Sequence, residues 1–133
     1  MNHLRATLTA LFPATALLAA EPPAAGVQPV SYWKDVRPVF QASCQGCHQP
    51  AKPKGGYVMT DFAALVKGGD DEGAAIVPGK PDESSVVKKI TPDVEGHVAM
   101  PKKADPLRAE EIALVQRWIA EGAVDDTPAN ARQ

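Results

Sequence analysis

The sequence predicts one small helical domain, and three observations predict it. Apolar residues recur at spacings of three and four in four separate segments, the pattern of helices with one buried face. No stretch alternates apolar and polar residues as a half-buried strand does. The chain's only two cysteines stand at positions 44 and 47, with a histidine directly after the second. A length of 133 residues supports a single domain.

The N-terminus reads as an export signal. One positive side chain lies among residues 1–5, and residues 6–20 are uncharged and mostly Ala, Leu and Thr. Glu21-Pro22-Pro23 ends the apolar run, with cleavage expected between Ala16 and Ala25. The run is shorter than the roughly 20 residues that span a bilayer, and Pro13 interrupts it, so cleavage is favoured over a membrane anchor. Residues 21–30, rich in Pro, Ala and Gly, read as a flexible leader. The expected division is therefore a signal peptide at 1–20, a leader at 21–30, a folded domain at 31–124 and a disordered polar tail at 125–133.

The first helix is expected over residues 32–43, capped by Ser31, with Trp33, Val36, Val39 and Phe40 on its apolar face. Pro38 removes an amide donor inside it and should kink it. Residues 49–56 are dense in Pro and Gly and predict a loop. Asp61 can cap a short helix to Lys67, with Gly68-Gly69 ending it. A third helix starts at Pro81-Asp82-Glu83-Ser84, with Val86, Val87 and Ile90 buried. Acids at its start and Lys88-Lys89 at its end suit the macrodipole. The last helix is expected over residues 106–121 with Asp105 as cap, or from Ala109 with Glu110 and Glu111 in its first turn. Its stripe is Ile112, Val115 and Ile119, joined by Leu114 and Trp118, and Gly122 stops it. Phe40 and Trp118 are expected to be buried near each other or near a cofactor.

Cys44-Gln45-Gly46-Cys47-His48 has the spacing for attachment of a c-type haem. Each cysteine can form a thioether to one haem vinyl. If the segment is helical, residues three and four apart share a face, so His48 could reach the iron as proximal ligand. A plain disulfide would be preferred had no histidine followed. A thioredoxin-type dithiol wants a βαβ pattern, which is absent. A structural zinc site needs four ligands, and beyond the extreme N-terminus only Cys44, Cys47, His48 and His97 are available, at the wrong spacing. Aromatic residues are 5% of the chain, thin for a core of side chains alone, and a buried haem would help. A metal-bound histidine usually donates its second ring hydrogen to a carbonyl, and the loop after His48 is near enough to supply one. With Met1 removed, only Met59 and Met100 can offer a thioether as sixth ligand. Met59 lies in a segment that looks core-packed. Met100 sits in a polar loop beside Pro101, which favours it as the ligand, with His97 as competitor.

The net charge of −2 and the absence of a basic stripe exclude nucleic acid as a partner. No Ser/His/Asp set, phosphate loop or paired-carboxylate site appears, and no small-molecule substrate is evident.

Over nearly its whole mature length the chain resembles the planctomycete-type cytochrome c domain. Tyr32 through Phe40 is similar to that family's opening helix, and Cys44 through Pro53 to its haem segment. Lys67-Gly68-Gly69-Asp70 and Ala75-Ile76-Val77-Pro78-Gly79-Lys80-Pro81 resemble its central signature. Met100-Pro101 and the stretch from Glu110 to Ala123 resemble its closing part. The resemblance implies an all-α, cytochrome c-like fold around one haem c, with the first and last helices crossing and the haem between the attachment helix and a methionine loop. Asp71-Glu72 and Arg108 depart from the pattern, the latter where a Ser or Thr cap is expected.

These readings lead to a single-haem electron carrier held by Cys44, Cys47, His48 and Met100. It would be exported to the periplasm, monomeric as an isolated domain, and partnered by other redox proteins or a linked redox module. Two alternatives compete: a haem subunit of an oxidoreductase or peroxidase with an open sixth site and His97 as acid/base, and a redox sensor in which Met100 lets go.

Overall fold

The structure is a computed structural model that describes residues 26–70 and 73–132. The signal expectation, the first half of the leader and Asp71-Glu72 lie outside the described residues.

The chain enters the domain through a π turn (Tyr32–Val36) that runs into helix α1 (Arg37–Ser43). Ser31 caps it as expected, its hydroxyl accepting the Lys34 amide at 3.0 Å. The expected kink takes the form of this register change. Pro38 has no amide to bond back, and before it the bonds reach five residues, from Val36 to Ser31 and from Arg37 to Tyr32. The wider turn corrects the expected face. Tyr32, Val36, Val39 and Phe40 are buried, whereas Trp33 is only half-buried and carries the Arg37 guanidinium over its ring at 4.1 Å.

After the attachment segment a two-residue antiparallel ladder pairs β1 (His48–Gln49) with β2 (Lys52–Pro53). The described residues thus carry short helices joined by long irregular stretches and one minimal hairpin, so the all-α expectation is met only in part. Helix α2 (Phe62–Lys67) is capped by the Asp61 carboxylate, which accepts the Ala64 amide, and ends at Gly68 with φ +95°. Gly69 follows because no side chain fits there: a Cβ would stand 2.2 Å from the Gly55 carbonyl oxygen. Pro81–Glu83 forms a separate 3₁₀ turn, and helix α3 (Ser85–Ile90) starts later than the sequence suggests. Between them Ser84 is fully buried, accepting the Val77 amide and donating to the Lys80 carbonyl.

Helix α4 (Ala109–Ala120) takes the second of the two expected starts. Arg108, the departure from the family pattern, still serves as its boundary. The Glu111 carboxylate accepts the Arg108 amide at 2.9 Å and its guanidinium at 3.0 Å. The Trp118 ring stacks on Tyr32 at 5.4 Å and meets Phe62 edge-on at 6.1 Å. Phe40 and Trp118, both buried as expected, belong to this one core with Leu65, Ile76, Val115 and Ile119. The Gly79 amide donates to the Ile119 carbonyl at 2.7 Å, fixing the central loop to α4.

The segment expected to be a disordered tail turns back instead. The Asp126 carboxylate accepts the Trp33 amide and the Ser31 hydroxyl, and residues Ala129–Ala131 form a 3₁₀ turn. Next to it the Glu121 carboxylate accepts the Val30 amide and the Arg117 guanidinium bonds the Gln28 carbonyl. These contacts engage the end of the stretch expected to be a flexible leader. Polar tail residues with charge and amide partners this close lose their freedom to specific hydrogen bonds rather than to apolar burial.

Candidate haem-attachment site

Helix α1 delivers Cys44. The Phe40 carbonyl accepts the amides of both Cys44 and Gln45, closing the helix. The Cys44 carbonyl then accepts the amides of Cys47 and His48, each at 3.1 Å. The motif therefore makes one further turn of helical spacing, the local condition for its three side chains to face one way. The turn is tied down from outside: the Gln45 side-chain amide donates to the Met59 carbonyl, and the Met59 amide donates to the His48 carbonyl, both at 2.9 Å.

Cys44, Cys47, His48, Met59 and Met100 all line one cleft of about 870 Å³, within the size range of small-molecule and cofactor sites. Val86, Ile90 and Pro101 add apolar surface, and Tyr57 completes the wall beside His48. Met100 reaches the cleft because its amide donates to the Lys89 carbonyl at 2.9 Å, anchoring the loop to the end of α3. Among the described residues, Lys52, Lys54, Lys89, Lys102 and Lys103 also line the cleft, against one acid, Asp70.

Cys44 is half-buried and Cys47 exposed. Burial pushes the Cys44 thiol up to about 11, so it stays protonated near neutral pH. His97 is not among the cleft residues. Its side chain is 75% exposed, and its ring faces the carboxylates of Glu95 at 3.4 Å and Asp93 at 3.7 Å. Among the described residues no group of three or more His, Cys, Asp or Glu could hold a metal ion.

One expectation fails here. The loop after His48 supplies no carbonyl to the ring: His48 Nδ1 is buried and without a hydrogen-bond partner. What touches the imidazole is the Tyr57 ring, at 5.3 Å between centroids and tilted by 56°. The sequence reading passed over Tyr57, which lies at the end of a Gly-Gly loop with no periodic neighbours to mark it.

The donor set fits a haem c. Two thiols at adjacent positions of one turn suit the two vinyl groups, an imidazole lies beside them, and two thioethers stand in the same cleft. A family model described as Planctomycete cytochrome C matches residues 44–104. No curated protein and no solved structure matches the chain. The matched stretch opens on Cys44 and closes just past Met100-Pro101, so it holds every residue of the motif and the methionine loop. Over residues 44–104, somewhat less than half of its length, the chain is thus similar to the family described as Planctomycete cytochrome C.

Proposed function

We propose that the protein is a single-haem electron carrier, with haem c bonded to Cys44 and Cys47 and its iron held by His48 and Met100. The observation that carries the reading is the convergence of these four side chains on one cleft. Cys44 and Cys47 would hold the haem through two thioether bonds, and His48 and Met100 would hold its iron. The bound haem supplies a one-electron couple at its iron. The chain's part is to hold that couple still. The α1 turn fixes the thioether edge, the bond from the Met100 amide to the Lys89 carbonyl fixes the opposite loop, and Met59, Val86 and Ile90 keep water from that wall. With His48 and Met100 both holding the iron, the group would supply electron transfer rather than substrate chemistry. The five cleft lysines give the mouth a positive rim, which suits a redox partner with an acidic surface. Export through the N-terminal signal, with function in the periplasm, completes the proposal.

The test is production in an exporting host with haem-maturation machinery. The secreted protein should begin between Leu17 and Gly26, with one haem in its mass that survives acid-acetone extraction. Reduced spectra should not respond to carbon monoxide. Freely extractable haem would defeat the attachment reading. A carbon monoxide complex would move the function to an oxidoreductase subunit or a sensor.

A further inference from the structure

We propose that Tyr57 is a positioning residue that sets the plane of the His48 imidazole, and through it the electronic orientation of the iron. The proposal rests on the haem reading above. Imidazole ligands of metals usually have their ring orientation fixed by a hydrogen bond from the second nitrogen to a carbonyl or carboxylate. Here Nδ1 is buried and has no such partner. The ring needs another constraint, because rotation about its bond to Cβ is otherwise a soft torsion with broad minima.

Tyr57 supplies one. Its ring packs against the imidazole at 5.3 Å with a 56° tilt, an arrangement within the range that aromatic pairs prefer. The tyrosine is itself held at its far end, its hydroxyl donating to the Leu65 carbonyl of α2 at 2.9 Å. The phenol keeps its proton, since burial, then the nearby Cys44 and Tyr32, push it well above the usual tyrosine range. Its backbone is fixed too, by the close approach of Gly69 to Gly55 and by the bond from its own amide to the Lys54 carbonyl. A rigid ring, anchored at both ends, thus leans on the one imidazole that lacks its customary hydrogen bond.

The plane of an axial imidazole sets which iron d orbital mixes with the porphyrin. That mixing orders the hyperfine-shifted resonances of the four haem methyl groups in the oxidised protein. The test compares this proton spectrum in wild type, Tyr57→Leu and Tyr57→Phe. Leucine removes the ring and keeps apolar bulk, and phenylalanine keeps the ring and removes only the hydroxyl. The order of the four methyl signals should change in Tyr57→Leu and be retained in Tyr57→Phe, with covalent haem present in all three. An unchanged order in Tyr57→Leu, or equal changes in both variants, would overturn the proposal. Where Tyr57→Leu does not accumulate, the wild type decides. A nuclear Overhauser effect between the Tyr57 and His48 rings supports the contact in the haem-loaded protein, and its absence overturns the role. Wild-type protein without covalent haem would instead refute the function itself, a separate outcome read from its mass.

Discussion

Replacing Trp118 with alanine is expected to cost the domain much of its stability while leaving the haem spectrum in place. Trp118 is 1% exposed, and truncating a buried aromatic to alanine costs about 3–5 kcal/mol. This ring should lie in the upper half of that range. It stacks on Tyr32 and meets Phe62 edge-on, and such pairs add about 0.5–1.5 kcal/mol each beyond burial. Its indole N–H also donates to the Val124 carbonyl at 3.1 Å. A loss of about 4–5 kcal/mol is a large share of the roughly 5–15 kcal/mol that holds a typical domain. With an m-value of about 2 kcal/mol/M, the urea midpoint should fall by roughly 2 M. Trp118→Phe, which can keep the stacking and loses the N–H bond, should fall by less than half as much. The assay follows urea unfolding by far-ultraviolet circular dichroism, with the Soret band recorded in native buffer. Trp118 is not among the residues lining the cleft, so the native Soret position should hold in both variants. A midpoint shift under about 0.5 M for Trp118→Ala would refute the placement of this ring at the centre of the core. A Soret shift without loss of stability would place it at the haem instead.

Further outcomes follow from the same geometry. Met100→Ala should lower the reduction potential, abolish the far-red sulfur-to-iron band and open the iron to carbon monoxide, while His97→Ala leaves all three nearly unchanged; the reverse pattern would transfer the ligand role to His97. Gly69→Ala should cut the yield of folded haem protein, since its Cβ would press within 2.2 Å of the Gly55 carbonyl oxygen; full yield with an unchanged melting curve would mean that this close approach is not kept. The Glu121 carboxyl is held below the usual range by the Val30 amide and the Arg117 guanidinium, and Asp126 is held low by Ser31 and Trp33 against the opposing effect of burial. Groups with depressed folded-state pKa values contribute stability above their unfolded values and lose it as pH falls through the folded ones. Acid should therefore weaken the domain below the ordinary carboxylate range, and Glu121→Gln with Asp126→Asn should flatten that dependence, as read from melting temperature against pH.

The helices were legible where a local signal exists. Ser31, Asp61 and Gly68 mark helix ends through their own backbone chemistry, and Val86, Val87 and Ile90 through spacing. Trp33 is the expected aromatic of the first helix's buried face and Tyr32 the one that is buried, because an α-helical count does not register the π turn, whose extra residue shifts the face by one position. The hairpin at β1 and β2 is two residues long, too short for any alternation to register. At the site, the cysteines, His48 and Met100 are marked in the sequence by their donor atoms, and all four line one cleft. Tyr57 is not marked, because its partner is a ring nine positions away, across a Pro- and Gly-rich loop. The fold-back of residues 125–132 depends on the Ser31 and Trp33 groups more than ninety positions upstream, a pairing that no local window contains.

That fold-back has a mechanical consequence. Residues 28–33 and 117–126 are stapled to each other, so everything between them, the cleft included, forms a loop closed at its base. Tension applied between residues 28 and 126 would load the Asp126, Glu121 and Arg117 contacts first, and the loop beyond them would stay slack until those contacts parted. The turn that carries Cys44, Cys47 and His48 and the loop that carries Met100 are thereby insulated from a pull on the segments that enter and leave the domain.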